Sequence, residues 1–267
     1  MIRDKAGKEI KLRAVRPNSG IEANYRRKLF ALVREMAASY FWFLRAQYRE
    51  TPPRMAQDAT PAEDLRRELK KLGVRWEKNF EAAAPKLARY FAKSAANRSD
   101  AALRSILKQG GFSVKFRLTP AMRDVLDATV AENVSLIKSI ASEYHTQVEG
   151  LVMRSVTAGR DLSFLTKELQ ERYGVTRRRA EFISLDQNNK ATASLQRARQ
   201  LELNLGTGIW MHSGGGRHPR PTHVKNNGKQ FSIRDGWPDP ALKGKKIWPG
   251  TEPNCRCVWR PVVQGFS

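Results

Sequence analysis

From Ile21 onward apolar residues return every three or four positions: Tyr25, Leu29, Leu32 and Val33, Met36, Tyr40, Phe43 and Leu44, then Tyr48. That spacing puts them on one face of a helix, and Pro52-Pro53 should stop it. Arg26, Arg27, Arg34, Arg45 and Arg49 lie off the stripe, so its aromatics read as packing residues rather than platforms for bases. Thr60-Pro61-Ala62-Glu63 predicts a helix start, with Thr60 as N-cap, proline at the first helical position and Glu63 closing a capping box. Leu65, Leu69, Leu72, Trp76 and Phe80 supply its apolar face. Pro85 should end that helix, and a second piece from Lys86 to Asn97 turns Leu87, Tyr90 and Phe91 inward. Gly110-Gly111 breaks the next short helix, and the alternation from Phe112 to Leu118 predicts a short strand.

The stretch 119–205 is the most regular. Thr119-Pro120 opens a helix with Leu126, Val130, Val134 beside Asn133, Ile137, Ala141 and Tyr144 in line, and a further helix runs to about Ala158 before Gly159. Ser163 is expected to cap a short helix carrying Leu165 and Leu169, with Gly174 as its left-handed C-cap. Thr176 then caps a long helix with Ala180, Ile183, Ala191, Leu195 and Ala198 inward, ended by Gly206. The same helix carries Arg177-Arg178-Arg179, Asp186, Gln187, Asn188 and Asn189, which form either a functional cluster or a solvated face. Beyond it the periodicity stops. The last 62 residues hold 10 of 18 glycines, 7 of 13 prolines, four of six tryptophans, both cysteines and three of four histidines. No helix survives that density of proline and glycine, so short strands and loops are expected: Gly208-Ile209-Trp210, a turn and strand over Gly228–Phe231, and a closing strand from Cys255 to Val263. The expected fold is mainly α with a small α+β C-terminal module. A basic extended arm over 1–20 precedes a helical basic region over 21–118, a helical middle over 119–205 and a loop-rich module over 206–267.

Charge changes this picture most. The chain has 49 Lys and Arg against 26 Asp and Glu, a net +23, far more than solubility asks for. The excess lies at the ends: 27 basic and 12 acidic residues in 1–120, 12 and 11 in 121–205, and 10 and 3 in 206–267. A polyanionic partner follows, with Arg26, Arg27, Lys28, Arg66, Arg67, Lys70 and Lys71 as candidate contacts. Two cysteines make no disulfide framework, the charged start Met1–Lys5 is no secretory segment, and Tyr40–Leu44 is too short an apolar run to span a bilayer. A soluble protein made in a reducing cytoplasm is expected, with no membrane partner.

Chemistry concentrates at the C-terminus. Cys255 and Cys257 with His223, His218 or His212 would make a Cys2His or Cys2His2 set that suits zinc. The Cys-x-Cys spacing is tighter than the usual Cys-x2-Cys hairpin, and two small buried thiols packing under tryptophans explain the same residues. A Cys255–Cys257 disulfide would close a small, strained ring. A nuclease-like base at His223 lacks paired carboxylates, because only Asp235, Asp239 and Glu252 are acidic in this region. Gly214-Gly215-Gly216 with Arg217 is followed by no phosphate-loop pattern and reads as a flexible loop. Arg220 and His223 then read as interior hydrogen-bonding residues that fasten the loops.

Taken in order, Ala180–Ser184, Gly208-Ile209-Trp210, Arg220-Pro221-Thr222-His223, Gly228, Phe231, Pro249-Gly250, Asn254-Cys255-Arg256-Cys257 and Pro261-Val262-Val263 form a series. It resembles the C-terminal domain of the phage Mu F-like minor head (head morphogenesis) proteins over about residues 120–265. The structural signature carried over is Trp210, Arg220, Pro221, His223, Gly228, Asn254, Cys255, Arg256 and Cys257. Two positions depart from the family. Ser184-Leu185-Asp186-Gln187 stands where the family commonly has a more acidic helix motif, and Gly216-Arg217 where it has an Asp before the Arg-Pro pair. The resemblance implies a non-enzymatic, low-copy virion component, present in several copies at the portal vertex or capsid interior after assembly in the host cytoplasm. It would contact portal or major capsid protein and packaged double-stranded DNA, and aid assembly, packaging or delivery. No cofactor is expected unless zinc sits at His223, Cys255 and Cys257. The alternatives are an enzyme or toxin-like effector centred on His223 and Cys255/Cys257, and a plain DNA-binding protein.

Overall fold

Helices carry most of the computed structural model, which describes residues 9–50, 60–157, 159, 161–216 and 218–263. After a two-residue strand, β1 (Ile10–Lys11), come α1 (Ser19–Glu50), α2 (Thr60–Gln109), α3 (Pro120–Thr157) and α4 (Leu162–Glu202). The C-terminal part contains β2 (Thr207–Met211), the short α5 (Pro221–Lys225), β3 (Gln230–Ser232), β4 (Trp237–Asp239), a 3-10 turn (Pro240–Leu242), β5 (Lys245–Ile247) and β6 (Val258–Val263). Mainly α with a small β-containing C-terminal module is therefore the fold.

The chain divides into two units, Ala23–Arg89 with Val130–Ser184, and Met1–Glu22 with Tyr90–Thr129 and Leu185–Ser267. The first contains parts of four helices. The stripe read from α1 is its buried face: Tyr25, Leu29, Val33, Met36, Tyr40, Leu44 and Tyr48 are all buried. Tyr40 meets Tyr144 edge to face with centroids 5.3 Å apart and bonds to His145 Nδ1 at 2.9 Å, so α1 and α3 pack through aromatics carrying satisfied polar tips. Gly73 lets α2 approach the same histidine, since a Cβ there would lie 2.5 Å from its ring. Burial pushes the Tyr25, Tyr40 and Tyr144 phenols well above the ordinary tyrosine range.

In the second unit an antiparallel sheet has the order β1-β6-β2-β3. Its central pair sets Trp210 opposite Trp259, and Gly208 opposite Pro261. Pro261 accepts from the Leu12 N–H at 2.9 Å, so its missing donor faces the two-residue β1, where the ladder is shortest. Ala193 of α4 packs with Trp210, Phe231, Ile233, Ile247 and Trp259, and a second cluster gathers Leu12, Val15, Leu103, Leu107, Leu205 and Val263.

Several local expectations fail for one reason: burial overrode local punctuation. α2 runs unbroken through Pro85, with Ala84 and Ala88 fully buried on either side, so ending the helix would expose both. Tyr90, expected inward, is exposed while Ala88 and Ala92 are buried. α3 is one helix rather than two, and α4 passes straight through Gly174. Thr176 is no cap, because its hydroxyl donates back to the Arg172 carbonyl at 3.0 Å. Asp161, not Ser163, caps α4 by accepting from the N–H groups of Ser163 and Phe164. The segment Phe112–Leu118 is not a strand; Phe112, Val114 and Phe116 face the second cluster, but the segment has no ladder partner. β6 begins at Val258, after the cysteines. Pro52-Pro53, residues 1–8 of the expected arm, Arg217 and the side chains of Thr60 and Pro61 lie outside the described residues.

Candidate functional site

α4 enters the second unit at Leu185, and from there its polar residues turn out to be inside. Asp186, Gln187, Asn188, Asn189, Thr192, Gln196, Arg199 and Gln200 are all buried, so the solvated-face alternative is wrong for this stretch. Most have found distant partners, as buried polar groups require. Asn188 Nδ2 donates to the Asn18 carbonyl, Gln196 Nε2 to the Ser99 carbonyl, and Gln200 Oε1 accepts from the Trp259 indole at 2.6 Å. Arg199 is the most engaged. Its fork grips both oxygens of Asp100 at 2.9 and 2.8 Å, and its remaining nitrogen reaches the Arg117 carbonyl and Glu202. The Arg177-Arg178-Arg179 run belongs to the other unit, where Arg177 and Arg178 are exposed.

Opposite this helix face lies the signature. Trp210 sits on β2 and is wholly buried; His223 meets its ring edge to face at 5.2 Å, and Phe231 and Trp259 continue the stack. The Gly228 N–H closes onto the Trp210 carbonyl at 2.8 Å, with φ +79° at the glycine. Arg220 occupies the N-cap position of α5, Pro221 opens its first turn, and the Arg220 guanidinium donates to the Pro253 carbonyl at 2.8 Å. This joins the Arg-Pro-x-His turn to the residue before Asn-Cys-Arg-Cys through an exposed hydrogen bond, with Arg220 half-buried rather than interior. Asn254 takes a left-handed conformation (φ +59°) and turns its N–H to Asp186. Around Arg256, which is exposed, Cys255 and Cys257 both point inward.

The inward groups meet. Cys255 Sγ lies 3.4 Å and Cys257 Sγ 3.8 Å from His223 Nδ1, all three residues are buried, and both cysteines are free. The hydrogen bond from Cys257, helped by His223 and the Gly250 N–H, pulls the Cys255 thiol below its ordinary range. Its proton-bearing partner Cys257 is pushed up by the same hydrogen bond and by burial. Behind the imidazole stands Asp239, buried, accepting from the Thr222 hydroxyl and the Ala241 N–H. The sequence presents Asp239 only as one of three acidic residues of this region, and Asp186 only as part of a cluster open between function and solvation. Neither has a motif around it; only burial reveals them. His212 and His218 do not join the cluster among the described residues.

The basic candidates lie in the other unit. Arg26 pairs with Glu181, Arg66 with Glu149, Arg67 with Asp64 and Lys71 with Glu68, while Arg27, Lys28 and Lys70 are exposed. No helix among the described residues is long and apolar enough to cross a membrane.

A polar helix thus packs under a small antiparallel sheet, with the Arg-Pro-x-His turn hydrogen-bonded to the residue before Asn-Cys-Arg-Cys. Residues 146–260 match the family described as phage Mu protein F like protein. A Haemophilus influenzae protein described only as uncharacterized is 32% identical over 151 residues, which cover 57% of this chain and 32% of that protein. The chain thus spans about a third of the relative's length. No solved structure gives a significant match.

Proposed function

We propose that this chain is a minor head protein of a tailed phage, a non-enzymatic component that aids capsid assembly and genome packaging or delivery. The family match over residues 146–260 carries this reading. Its place is the portal vertex or capsid interior, in several copies, against portal or major capsid protein. The net charge of +23 supports contact with packaged double-stranded DNA, since each Lys or Arg that neutralises a phosphate releases counterions whatever the base sequence. Arg27, Lys28, Arg66, Arg67, Lys70 and Lys71, all exposed, are the proposed contacts, with half-buried Arg26 beside them.

Heads produced with and without the gene test the assembly role. Mass spectrometry of purified particles should find the chain in the heads, and its deletion should lower the yield of DNA-filled heads. Absence from the particles together with an unchanged yield overturns the reading. Fluorescence anisotropy on a random duplex tests the DNA contact separately: affinity should fall steeply between low and physiological salt. A salt-independent affinity removes DNA from the proposal.

A further inference from the structure

The spacing of the His223, Cys255 and Cys257 donor atoms is that of a metal's ligand shell. A tetrahedral zinc ion, with Zn–S of about 2.3 Å and Zn–N of about 2.0–2.1 Å, holds sulfur and nitrogen ligands about 3.5 Å apart. The two nitrogen–sulfur distances here, 3.4 and 3.8 Å, bracket that edge, and all three donor atoms lie within 4.8 Å of one another. As hydrogen bonds the same contacts would rely on a thiol, a weak donor.

Two independent features point the same way. His223 Nε2, on the far side of the ring, is buried and has no hydrogen-bond partner; the nearest carboxylate oxygen, Asp239 Oδ2, stands 4.0 Å away. A cation on Nδ1 fixes the ring proton on Nε2, facing that carboxylate, which is the arrangement that orients metal-bound histidines. Second, the Gly250 N–H points at Cys255 Sγ at 3.3 Å, a donor placed to stabilise charge on sulfur. Gly250 adopts φ +86°, and a Cβ there would crowd Ala193 and the Cys257 carbonyl, so the backbone is shaped around this contact.

We propose that His223 Nδ1 and the thiolates of Cys255 and Cys257 bind a zinc ion, with Asp239 as the positioning residue behind His223. Two thiolates and a neutral imidazole balance a divalent, borderline-soft cation and exclude calcium or magnesium, which take oxygen ligands. The ion fastens α5 to the turn before β6, joining the two halves of the family signature by a bond stronger than any side-chain contact there. The proposal stands independently of the head-assembly reading.

The full chain, expressed in zinc-sufficient medium and purified without chelator, should carry about one zinc per chain by elemental analysis, and Cys255→Ser or Cys257→Ser should lose most of it. His223→Cys keeps a ligand and should retain metal where His223→Ala does not, which separates coordination from folding. His218→Ala should leave the metal content unchanged. Cobalt substitution should give an intense near-ultraviolet thiolate charge-transfer band, largely lost in Cys255→Ser, which no longer holds the metal. A folded wild-type chain that is purified without zinc, and that gives no such band on cobalt titration, overturns the proposal.

Discussion

The Asp186 carboxylate bridges its own helix and the cysteine turn: one oxygen accepts from the Asn254 N–H at 2.8 Å and the other pairs with Lys190 at 2.8 Å. Asp186 is almost fully buried, and Asn254 is held at φ +59°, so the carboxylate fixes the backbone just before Cys255. Asp186→Ala removes the acceptor of the Asn254 N–H and an ion-pair partner of the half-buried Lys190, and should cost about 1–3 kcal/mol. Asp186→Asn keeps an acceptor and should cost less. Urea unfolding followed by tryptophan fluorescence checks both; an alanine variant within about 0.5 kcal/mol of wild type would show the bridge to be idle.

Arg199 secures the other end of that helix. Its fork on Asp100, with Arg117 and Glu202 as further partners, cannot be reproduced by a point-charge ammonium. Arg199→Lys is expected to destabilise by about 3 kcal/mol, lowering the melting temperature by roughly 6–12 °C. Differential scanning calorimetry decides it: a shift under about 2 °C would mean that lysine satisfies the site.

Packing at the centre of the sheet gives a sharper contrast. A Cβ on Gly208 would lie 2.8 Å from Trp259 and 2.9 Å from Phe231, whereas one on Gly216 would meet nothing within 4 Å. Gly208→Ala should therefore cost about 1–3 kcal/mol through overpacking. Gly216→Ala should stay within about 0.5 kcal/mol of wild type. Equal effects in the two variants would contradict the close approach across β2.

These sites mark where the sequence stopped being legible. The α1 stripe could be read because a single period decides which face is buried: seven of its nine positions from Tyr25 to Tyr48 are buried, and Leu32 and Phe43, at its margin, are half-buried. The loop signature could be read because residue order identifies it without coordinates. Pro85, Gly174 and Thr176 misled because local propensity is weak beside the burial of Ala84, Ala88 and Ala180. Phe112–Leu118 misled in another way: alternation reports which side faces the core, not whether a partner strand exists. Asp186 and Asn188 could not be told from a solvated face because their partners Asn254 and Asn18 lie 68 and 170 positions away. Polarity shows that a group needs partners, and only the fold says where they are.

Alkaline stability should depend on the buried phenols of the helical unit. Burial raises Tyr25, Tyr40 and Tyr144 above their unfolded values, and for Tyr40 the neighbouring Tyr144, Glu77 and Glu149 charges add to the effect. Their stabilising contribution is complete below the unfolded value of about 10 and is lost as pH rises above it, because only the unfolded chain then releases the protons. Each such phenol costs about 1.4 kcal/mol per pH unit in that window. Tyr25 also donates to Asn133 at 2.8 Å, so Tyr25→Phe should be about 1 kcal/mol less stable at pH 8. Phenylalanine has no proton to lose, so the deficit should shrink and reverse near pH 11. Urea midpoints at pH 8, 9, 10 and 11 provide the test. A constant difference between wild type and variant across that range would mean that Tyr25 titrates as an ordinary, solvated tyrosine.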